Sequence, residues 1–318
     1  MSLVEAQRNV SRDISYASAA RSRGGRALIR LLENATGRPR VIARAAGYEA
    51  AMAAGQSFWQ VMPEKFGLRL EVTSGSLTSV PGSGPLVMIA NHPYGILDGL
   101  MMSNLLDALR GDFRILANSV FVKAPDLRRV ILPISFDETP EAVALNLQTR
   151  RTALDYLTGG GAIGIFPGGT VSTAATPLRA RPMDPAWRNF TAKLIQRSGA
   201  TVVPLFFEGE NSRLFQIASH LHYTLRLGLL IKEFRARMDQ PVRVAIGQPI
   251  PPDRLATFGP DARGMMDFLR RSTYELSPRP VDSYAYGYEF EAKYKSRQGE
   301  GSDGGRRVRF GAGGADRS

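Results

Sequence analysis

The sequence predicts an α/β fold with a mixed, largely parallel sheet flanked by helices. From Leu68 onward, short apolar runs alternate with longer segments of helical periodicity, as in repeated strand–helix units. Glycine, proline and polar residues follow several apolar runs directly, which is where open α/β sheets bind their ligands. With 318 residues and an apolar fraction of 43%, the chain can form one large domain with additions or two modest ones.

Residues 1–63 are predicted to form a separate, basic helical region. Ala27–Glu33 and Val41–Ala46 carry apolar residues at helical spacing with arginines between them. A third helix is predicted from Ala50 to Met62, and Pro63 is expected to end it.

Residues 64–280 are predicted to form the main domain. Its expected strands are Leu68–Val72, Leu86–Ala90, Phe113–Ala117, Ala162–Phe166, Val202–Phe206 and Val242–Ile246. Its expected helices are Asp98–Leu109, Glu141–Leu157, Trp187–Arg197, Arg213–Arg237 (with a break at Gly228 as an alternative) and Asp261–Leu276. The tail, 296–318, is rich in Gly, Arg and Asp, which predicts disorder.

The net charge of +12 comes mainly from 35 arginines, against 6 lysines. Such a balance attracts nucleic acid or the anionic inner membrane leaflet. No zinc-finger spacing, ribonucleoprotein-type strand or basic zipper is found, which disfavours nucleic acid. Arginine-rich usage is also typical of a GC-rich genome. The basic helices, with Phe58 and Trp59 near an end, are expected either to face a membrane or to pack as an ordinary helical layer.

Composition excludes several kinds of chemistry. The chain has no cysteine, which rules out disulfides, thiolate nucleophiles and cysteine-based zinc sites. No apolar run approaches the roughly 18–20 residues that span a bilayer, and the first residues lack the apolar segment of a signal peptide. The expected location is therefore cytoplasmic.

The most informative stretch is the predicted strand Leu86–Ala90 followed by Asn91-His92 and, six residues beyond the histidine, Asp98. The chain contains only three histidines, and this one follows the carboxyl end of a predicted buried strand. A His–Asp pair in that position can take a proton from a hydroxyl or an amine. Positions six apart do not share a helix face, so Pro93 and Gly95 must form a turn that brings the two side chains together.

Two further clusters follow predicted strands and are expected to share a cleft with His92. One is the block Phe166-Pro-Gly168-Gly169-Thr170-Val-Ser172; the other runs from Glu208 through Asn211 to Arg213. Each alone is weak evidence, because glycine and proline after a strand usually form an ordinary turn. Their occurrence in order is what suggests a common site.

The ordered set Asn91-His92…Asp98, Phe166–Ser172 and Val202-Val203-Pro204 resembles the glycerophospholipid acyltransferase family, which includes bacterial lysophosphatidic acid acyltransferases. The resemblance covers about residues 65–250 and is closest to a bacterial hemolysin-like branch with Asn-His-Pro-x-Gly-x-x-Asp-Gly. In that wider family the second block is Phe-Pro-Glu-Gly-Thr-Arg-Ser. Here Gly168 replaces the glutamate and Val171 replaces the arginine.

The resemblance implies an enzyme that moves a fatty acyl group from acyl-CoA or an acyl-carrier protein to the hydroxyl of a lyso-lipid. His92 would be the general base, and Asp98 would orient its ring. Substrate contacts are expected from Asn91 (mainly by fixing the turn) and from Phe166, Gly168, Gly169, Thr170, Ser172, Glu208, Asn211 and Arg213. No metal and no cofactor beyond the thioester co-substrate are implied. The expected setting is the cytoplasmic face of the inner membrane, in phospholipid synthesis.

Loss of the block's arginine disfavours a glycerol-phosphate acceptor, since arginine suits phosphate through its bidentate fork. Arg179, Arg181 or Arg213 are candidate replacements, and a lyso-ornithine lipid is an alternative acceptor. A non-catalytic, hemolysin-like membrane-binding protein and a nucleic-acid-binding protein are rival interpretations.

Other features favour structural roles. His220 and His222 are two apart in an expected helix and therefore point to different faces, which favours packing over a metal pair. Asp184 and Trp187 are interpreted as a helix start. The stretch Gly159–Gly164 fits Gly-x-Gly-x-x-Gly, but it leads into a strand, so it fails as a dinucleotide motif.

Overall fold

The computed structural model describes residues 14–20, 22–123, 126–135, 137 and 139–291. The chain divides into two units, Met1–Tyr288 and Glu289–Ser318, and the sheet and its helices lie in the first. The predicted tail, 296–318, and the first thirteen residues of the predicted basic region lie outside the described residues.

Among the described residues, seven strands form the main sheet, and two further strands form a short hairpin. The strands are β1 (Arg69–Ser74), β2 (Leu86–Ala90), β3 (Arg114–Asn118), β4 (Ile131–Ile134), β5 (Ala162–Ile165), β6 (Thr173–Ala174), β7 (Pro182–Met183), β8 (Thr201–Phe207) and β9 (Pro241–Ile246). The sheet order is β1-β9-β8-β2-β5-β3-β4, and β6 pairs antiparallel with β7. Only the β8–β9 pair of the main sheet is antiparallel. The predicted mixed, largely parallel α/β sheet is confirmed.

The described helices cover both faces of this sheet. They are α1 (Arg23–Thr36), α2 (Arg38–Ala45), α3 (Tyr48–Ala53), α4 (Phe58–Lys65), α5 (Ile96–Arg110), α6 (Pro140–Thr158), α7 (Asn189–Ser198), α8 (Arg213–Leu221), α9 (Tyr223–Arg237), α10 (Pro252–Ala256) and α11 (Ala262–Tyr274). Short 3₁₀ turns occur at Ala17–Ala19, Leu77–Ser79 and Ser119–Lys123. Within the described ranges, no helix combines the length and apolarity that crossing a bilayer requires.

Strand β2 is the centre of the core, and all five of its residues are buried. Successive side chains of a strand point to opposite faces. Leu86, Met88 and Ala90 accordingly pack with the cluster that includes α1–α5 and α9. Val87 and Ile89 pack with the cluster formed by α6, α7 and α11. A strand buried on both faces explains the uninterrupted apolar run in the sequence.

The N-terminal helices pack against the core. Ile29 on α1 and Val41 on α2 are buried in the same cluster as the residues of β2. Trp59 is buried and packs edge-on against Phe58 and Phe113, with ring centroids 5.0 and 5.6 Å away. Phe58 and Trp59, at the start of α4, therefore take part in the interior packing. For these two residues, this favours the interpretation as an ordinary helical layer over one that faces a membrane.

The prediction that Pro63 ends a helix running from Ala50 is wrong. That stretch forms two helices, α3 and α4, and Pro63 lies inside α4. A proline within a helix leaves the carbonyl four residues earlier without its usual N–H donor. Here that carbonyl belongs to Trp59, and it accepts a hydrogen bond from Asn104 Nδ2 at 2.8 Å. The tertiary partner replaces the lost intrahelical bond.

The break in the long helix predicted from Arg213 falls at His222, and Gly228 lies within α9. His222 has an extended backbone, and its ring accepts the N–H of Thr224 at 3.0 Å, so it caps the start of α9. Helix packing favours glycine at position 228, since a Cβ there would lie 2.7 Å from Leu32 on α1.

Candidate active site

Three neighbouring strands bring the predicted clusters to one edge of the sheet. β2 lies between β5 and β8 and runs parallel to both. Their carboxyl ends lead into Asn91-His92, the loop 166–172 and the segment 208–211, respectively. The sequence expectation of a shared strand-end location is met because β2, β5 and β8 are adjacent in space although they are far apart in the chain.

His92 and Asp98 meet across a tight turn. His92 Nδ1 lies 3.1 Å from Asp98 Oδ2. The turn depends on Gly95, whose φ of 89° is in the region that glycine adopts most easily, and α5 starts directly after it. The turn thus restores the contact across the six-residue spacing.

The Asp98 carboxyl is fully buried at the N-terminus of α5. Its Oδ2 accepts the N–H groups of Tyr94 at 2.7 Å and Gly95 at 2.9 Å, while Oδ1 has no hydrogen-bond partner among the described residues. Burial raises the pKa of Asp98, and the His92 ring and the two backbone donors act against this rise. These donors and the positive end of the helix dipole favour the carboxylate, which can hold the imidazole in one orientation.

The His92 ring is partly covered by its neighbours. The ring stacks on Phe166, with centroids 4.2 Å apart and an interplanar angle of 28°. Its side chain is 19% exposed, and Nδ1 is buried beside Asp98. Nε2 is therefore the nitrogen that remains to take a proton.

A second buried carboxylate, Asp184, fixes the loops around His92. Its Oδ1 accepts the Ser172 hydroxyl at 2.5 Å and the His92 N–H at 3.2 Å. Its Oδ2 accepts the Trp187 indole N–H at 2.9 Å. The His92 carbonyl in turn accepts the Ser172 N–H at 2.7 Å. The sequence interpretation of Asp184 as a helix start is wrong, since α7 begins at Asn189 and the carboxylate serves the site loops.

Arg226 on α9 holds the other side of the loop after β5. Its guanidinium donates to Thr170 Oγ1 at 3.0 Å and to the Val171 carbonyl at 2.7 Å. It also donates to Thr173 Oγ1 at 2.6 Å and to Ser219 Oγ at 2.9 Å. Burial lowers the pKa of Arg226 to about 9, so it is still a cation at neutral pH. The sequence signal for this residue was a lone charge within the apolar run Leu225–Ile231.

The glycines of the loop serve close packing and turn formation. Gly168 is buried, and a Cβ on it would lie 3.2 Å from Cβ and Cγ of Asp184. Gly169 has a φ of 70°, and its N–H donates to the Phe166 carbonyl at 3.0 Å. That N–H is used within the loop, so it does not serve as a free donor for a developing oxyanion.

Asn91 ties the ends of β2 and β8 together. Its Nδ2 donates to the Phe207 carbonyl at 2.9 Å, and its Oδ1 accepts the Phe207 N–H at 2.8 Å. The side chain is almost fully buried, and its two polar atoms are occupied by these bonds. Asn91 thus holds the end of β2, which carries His92, against β8.

The segment after β8 presents unsatisfied polar atoms close to this turn. The Glu208 carbonyl accepts the Tyr94 hydroxyl at 2.9 Å, which places the segment beside the residues that follow His92. Glu208 Oε1 and both amide atoms of Asn211 are buried and have no hydrogen-bond partner within the described part of the chain. Buried polar groups in native proteins are nearly always paired, so these atoms are suited to a bound ligand. Arg213 donates to the carbonyls of Pro177 and Ala180, and it lies on the exposed side of α8.

The described residues contain no group of three or more His, Asp or Glu side chains arranged to hold a metal ion. The other histidines make local contacts. His220 Nε2 lies 2.8 Å from the Ala174 carbonyl, and His222 caps α9.

A His–Asp pair at the end of a central strand, beside a glycine-containing loop, is an arrangement that can carry out acid–base chemistry. The Acyltransferase family model matches residues 40–282, and the chain belongs to this family. The family expected from the sequence motifs is therefore confirmed.

Two individual proteins illustrate the similarity. A lyso-glycine lipid O-acyltransferase from Phocaeicola vulgatus is 24% identical over 205 residues, which are 62% of this chain and 70% of that protein. The solved structure of the 1-acyl-sn-glycerophosphate (LPA) acyltransferase PlsC from Thermotoga maritima is 15% identical, with a TM-score of 0.44. That match covers 71% of this chain and 79% of the other.

Proposed function

We propose that this acyltransferase esterifies the hydroxyl of a lyso-lipid with a fatty acyl group taken from a thioester of coenzyme A or of an acyl-carrier protein. The observation that carries the proposal is the contact of 3.1 Å between His92 Nδ1 and Asp98 Oδ2 at the end of β2. That contact leaves Nε2 of a partly exposed imidazole as the available base.

In the proposed reaction, His92 Nε2 removes the proton of the acceptor hydroxyl as its oxygen attacks the thioester carbonyl carbon. The C–O bond forms, and the tetrahedral intermediate then breaks its C–S bond. The proton held by His92 passes to the departing thiolate sulfur. Asp98 stabilises the imidazolium between these two steps. No covalent acyl-enzyme is needed, which fits a chain without cysteine.

We infer that the acceptor carries an amino-acid head group. Val171 occupies the position of the family's arginine, and it is buried, with a methyl group 3.2 Å from where a Gly95 Cβ would lie. The nearby Arg226 is also buried and donates to four protein oxygens. A phosphate group therefore gains little from this loop, and the relative from Phocaeicola vulgatus acts on a lyso-glycine lipid by its name.

Ornithine is the second candidate head group, favoured by one observation. The buried, unpaired Glu208 Oε1 and the neighbouring Glu210 put negative charge at the end of β8. An ornithine head group has a side-chain amine, which is a cation at neutral pH and can pair with a carboxylate. Glycine lacks this amine. The proposed setting is the cytoplasmic face of the inner membrane, where a membrane acceptor meets a soluble thioester donor.

The test is an acyl-transfer assay with the purified full chain and two donors, acyl-CoA and acyl-carrier protein. Each donor is combined with lyso-glycine lipid, lyso-ornithine lipid and lysophosphatidic acid, and the product is identified by mass spectrometry. The proposal predicts an esterified product with at least one amino-acid lyso-lipid, and less product with lysophosphatidic acid. Preference for lysophosphatidic acid would overturn the acceptor assignment, and absence of transfer from both donors to all three acceptors would overturn the activity.

A further inference from the structure

Helix α8 carries apolar residues on its exposed face as well as on its buried face. Its exposed face carries Leu214, Ile217 and Leu221, with 52%, 36% and 71% of each residue accessible. These positions are three and seven residues apart and therefore lie on one side of the helix. A helix facing water normally shows polar residues on that side.

The buried face of α8 combines two core residues, Phe215 and Ala218, with polar residues that bind the segment following the site loop. Gln216 Oε1 accepts the Ala174 N–H at 3.0 Å, and His220 Nε2 lies 2.8 Å from the Ala174 carbonyl. Ser219 accepts a hydrogen bond from Arg226, which also holds Thr170 and Val171. Helix α8 thus packs on Ala174, at the end of the segment 170–174, and its exposed leucines lie on the opposite side of the helix.

The apolar face extends beyond α8 onto neighbouring residues. Tyr223 follows the helix and is 52% exposed. Leu178 is 70% exposed and lies in the loop that Arg213 holds through the carbonyls of Pro177 and Ala180. We define Leu178, Leu214, Ile217, Leu221 and Tyr223 as the α8 surface.

The segments that carry the α8 surface contribute only positive charge. The segments 175–181 and 212–224 contain Arg179, Arg181 and Arg213 and no aspartate or glutamate. Arg179 and Arg213 are exposed. Exposed apolar side chains bordered by arginines are complementary to an anionic lipid bilayer, whose head groups attract the cations while its acyl region receives the leucines.

We propose that the α8 surface is where the protein docks on an anionic membrane, so that acceptor lipid enters the site along the segment 170–174. This inference rests on the proposed function for the identity of the acceptor, but the docking itself does not require acyl transfer. Because α8 binds Ala174, which follows the site loop, and Arg226, which holds that loop, docking of α8 brings the site loop and His92 near the lipid surface.

The test is flotation of the full chain with vesicles of equal parts phosphatidylglycerol and phosphatidylcholine, without any acyl donor. The double variant Leu214→Ser/Leu221→Ser is compared with Val143→Ser/Leu147→Ser. The second pair lies on α6 and is also exposed, at 55% and 50%. Circular dichroism melts confirm that both variants are folded.

The expected result is that the α8 variant binds vesicles at least about tenfold more weakly, while the α6 variant binds like wild type. Wild type should also bind pure phosphatidylcholine vesicles several-fold more weakly. Equal binding by all three proteins, equal loss in both variants, or no vesicle binding by wild type would overturn the proposal.

Light scattering separates a membrane surface from a contact between two copies of the chain. If the α8 variant turns a dimer into a monomer while vesicle binding is kept, the surface is a self-interface and the proposal is wrong. Vesicle binding that depends on the α8 surface, without acyl transfer, would support the docking proposal and overturn the proposed function. Acyl transfer by a protein whose vesicle binding is unchanged by the α8 substitutions would support the proposed function and overturn the docking proposal.

Discussion

Gly168 lies against the buried carboxyl group of Asp184, so that a Cβ on the glycine would be 3.2 Å from the carboxyl carbon. In the wider family a glutamate occupies the position of Gly168. Here the carboxylate beside this loop comes instead from Asp184, sixteen positions later in the chain. The absence of a side chain at position 168 therefore leaves room for the Asp184 side chain.

The first prediction is that Gly168→Glu lowers the free energy of unfolding, and that it does so less when Asp184 is also replaced. The new side chain would meet a buried carboxylate that Ser172 and Trp187 hold in place. Two carboxylates in one dry space repel each other. In a double-mutant cycle with Asp184→Ala, the unfolding free energies should show a coupling of about 1 kcal/mol or more in favour of the double variant. Additive effects would contradict the account.

The second prediction is that Asp184→Asn lowers kcat more than it changes KM. Asparagine can still accept from Ser172 through its oxygen, but it then directs an NH₂ group at the Trp187 indole N–H. One unsatisfied buried donor costs about 1–3 kcal/mol, and relaxation of the loop displaces the His92 backbone. We expect kcat to fall about tenfold or more, with the pH profile of the His92 base unchanged. A variant with wild-type kcat would show that Asp184 is not a positioning residue.

The third prediction concerns Asn91, which should act through stability. Asn91→Ala leaves the buried N–H and carbonyl of Phe207 without their partners. We expect the free energy of unfolding to fall by about 2 kcal/mol or more, measured by urea denaturation. The matched control is Gln196→Ala, which removes an exposed hydrogen bond to the Gly259 carbonyl. Its effect should stay below about 1 kcal/mol, and an equal loss in both variants would contradict the assignment.

The fourth prediction is alkaline destabilisation through Tyr94. Burial raises the pKa of Tyr94 to about 12, while Arg237 over its ring acts in the opposite direction. As the pH rises past about 10, the tyrosine ionises in the unfolded chain before it does in the folded one. The unfolding free energy therefore decreases between about pH 10 and 12.

Tyr94→Phe should reduce that decrease by about 1–3 kcal/mol, because the substituted ring cannot ionise. Tyr284→Phe is the control, since Tyr284 is 69% exposed. Identical pH dependence in Tyr94→Phe and wild type would show that the Tyr94 hydroxyl does not carry this effect.

The fold could be predicted largely because its strands and helices follow their apolar periodicity. The apolar run Leu86–Ala90 predicts β2 with the limits that the structure has. β4, at Ile131–Ile134, is not predicted by the sequence, in which Pro133 argues against a strand. β4 lies at the end of the sheet, where a proline is tolerated because no neighbour needs its N–H.

The site was only partly predictable, because tertiary contacts leave weak local signals. His92 and Asp98 lie within one turn and share a recognisable spacing. Asp184 has no such spacing, since it reaches the site from the β6–β7 hairpin. Arg226 reaches the loop from α9, fifty-five residues after Val171. Both depend on how distant segments pack.

The central claim is that the His92 imidazole is the base that activates the acceptor hydroxyl. The most direct measurement is kcat/KM of the purified full chain and of His92→Gln, with an acyl thioester and the preferred lyso-lipid. The account predicts a fall of at least about 10²-fold, with unchanged thermal unfolding and unchanged vesicle binding. A folded His92→Gln enzyme whose kcat/KM stays within a few-fold of wild type would contradict it.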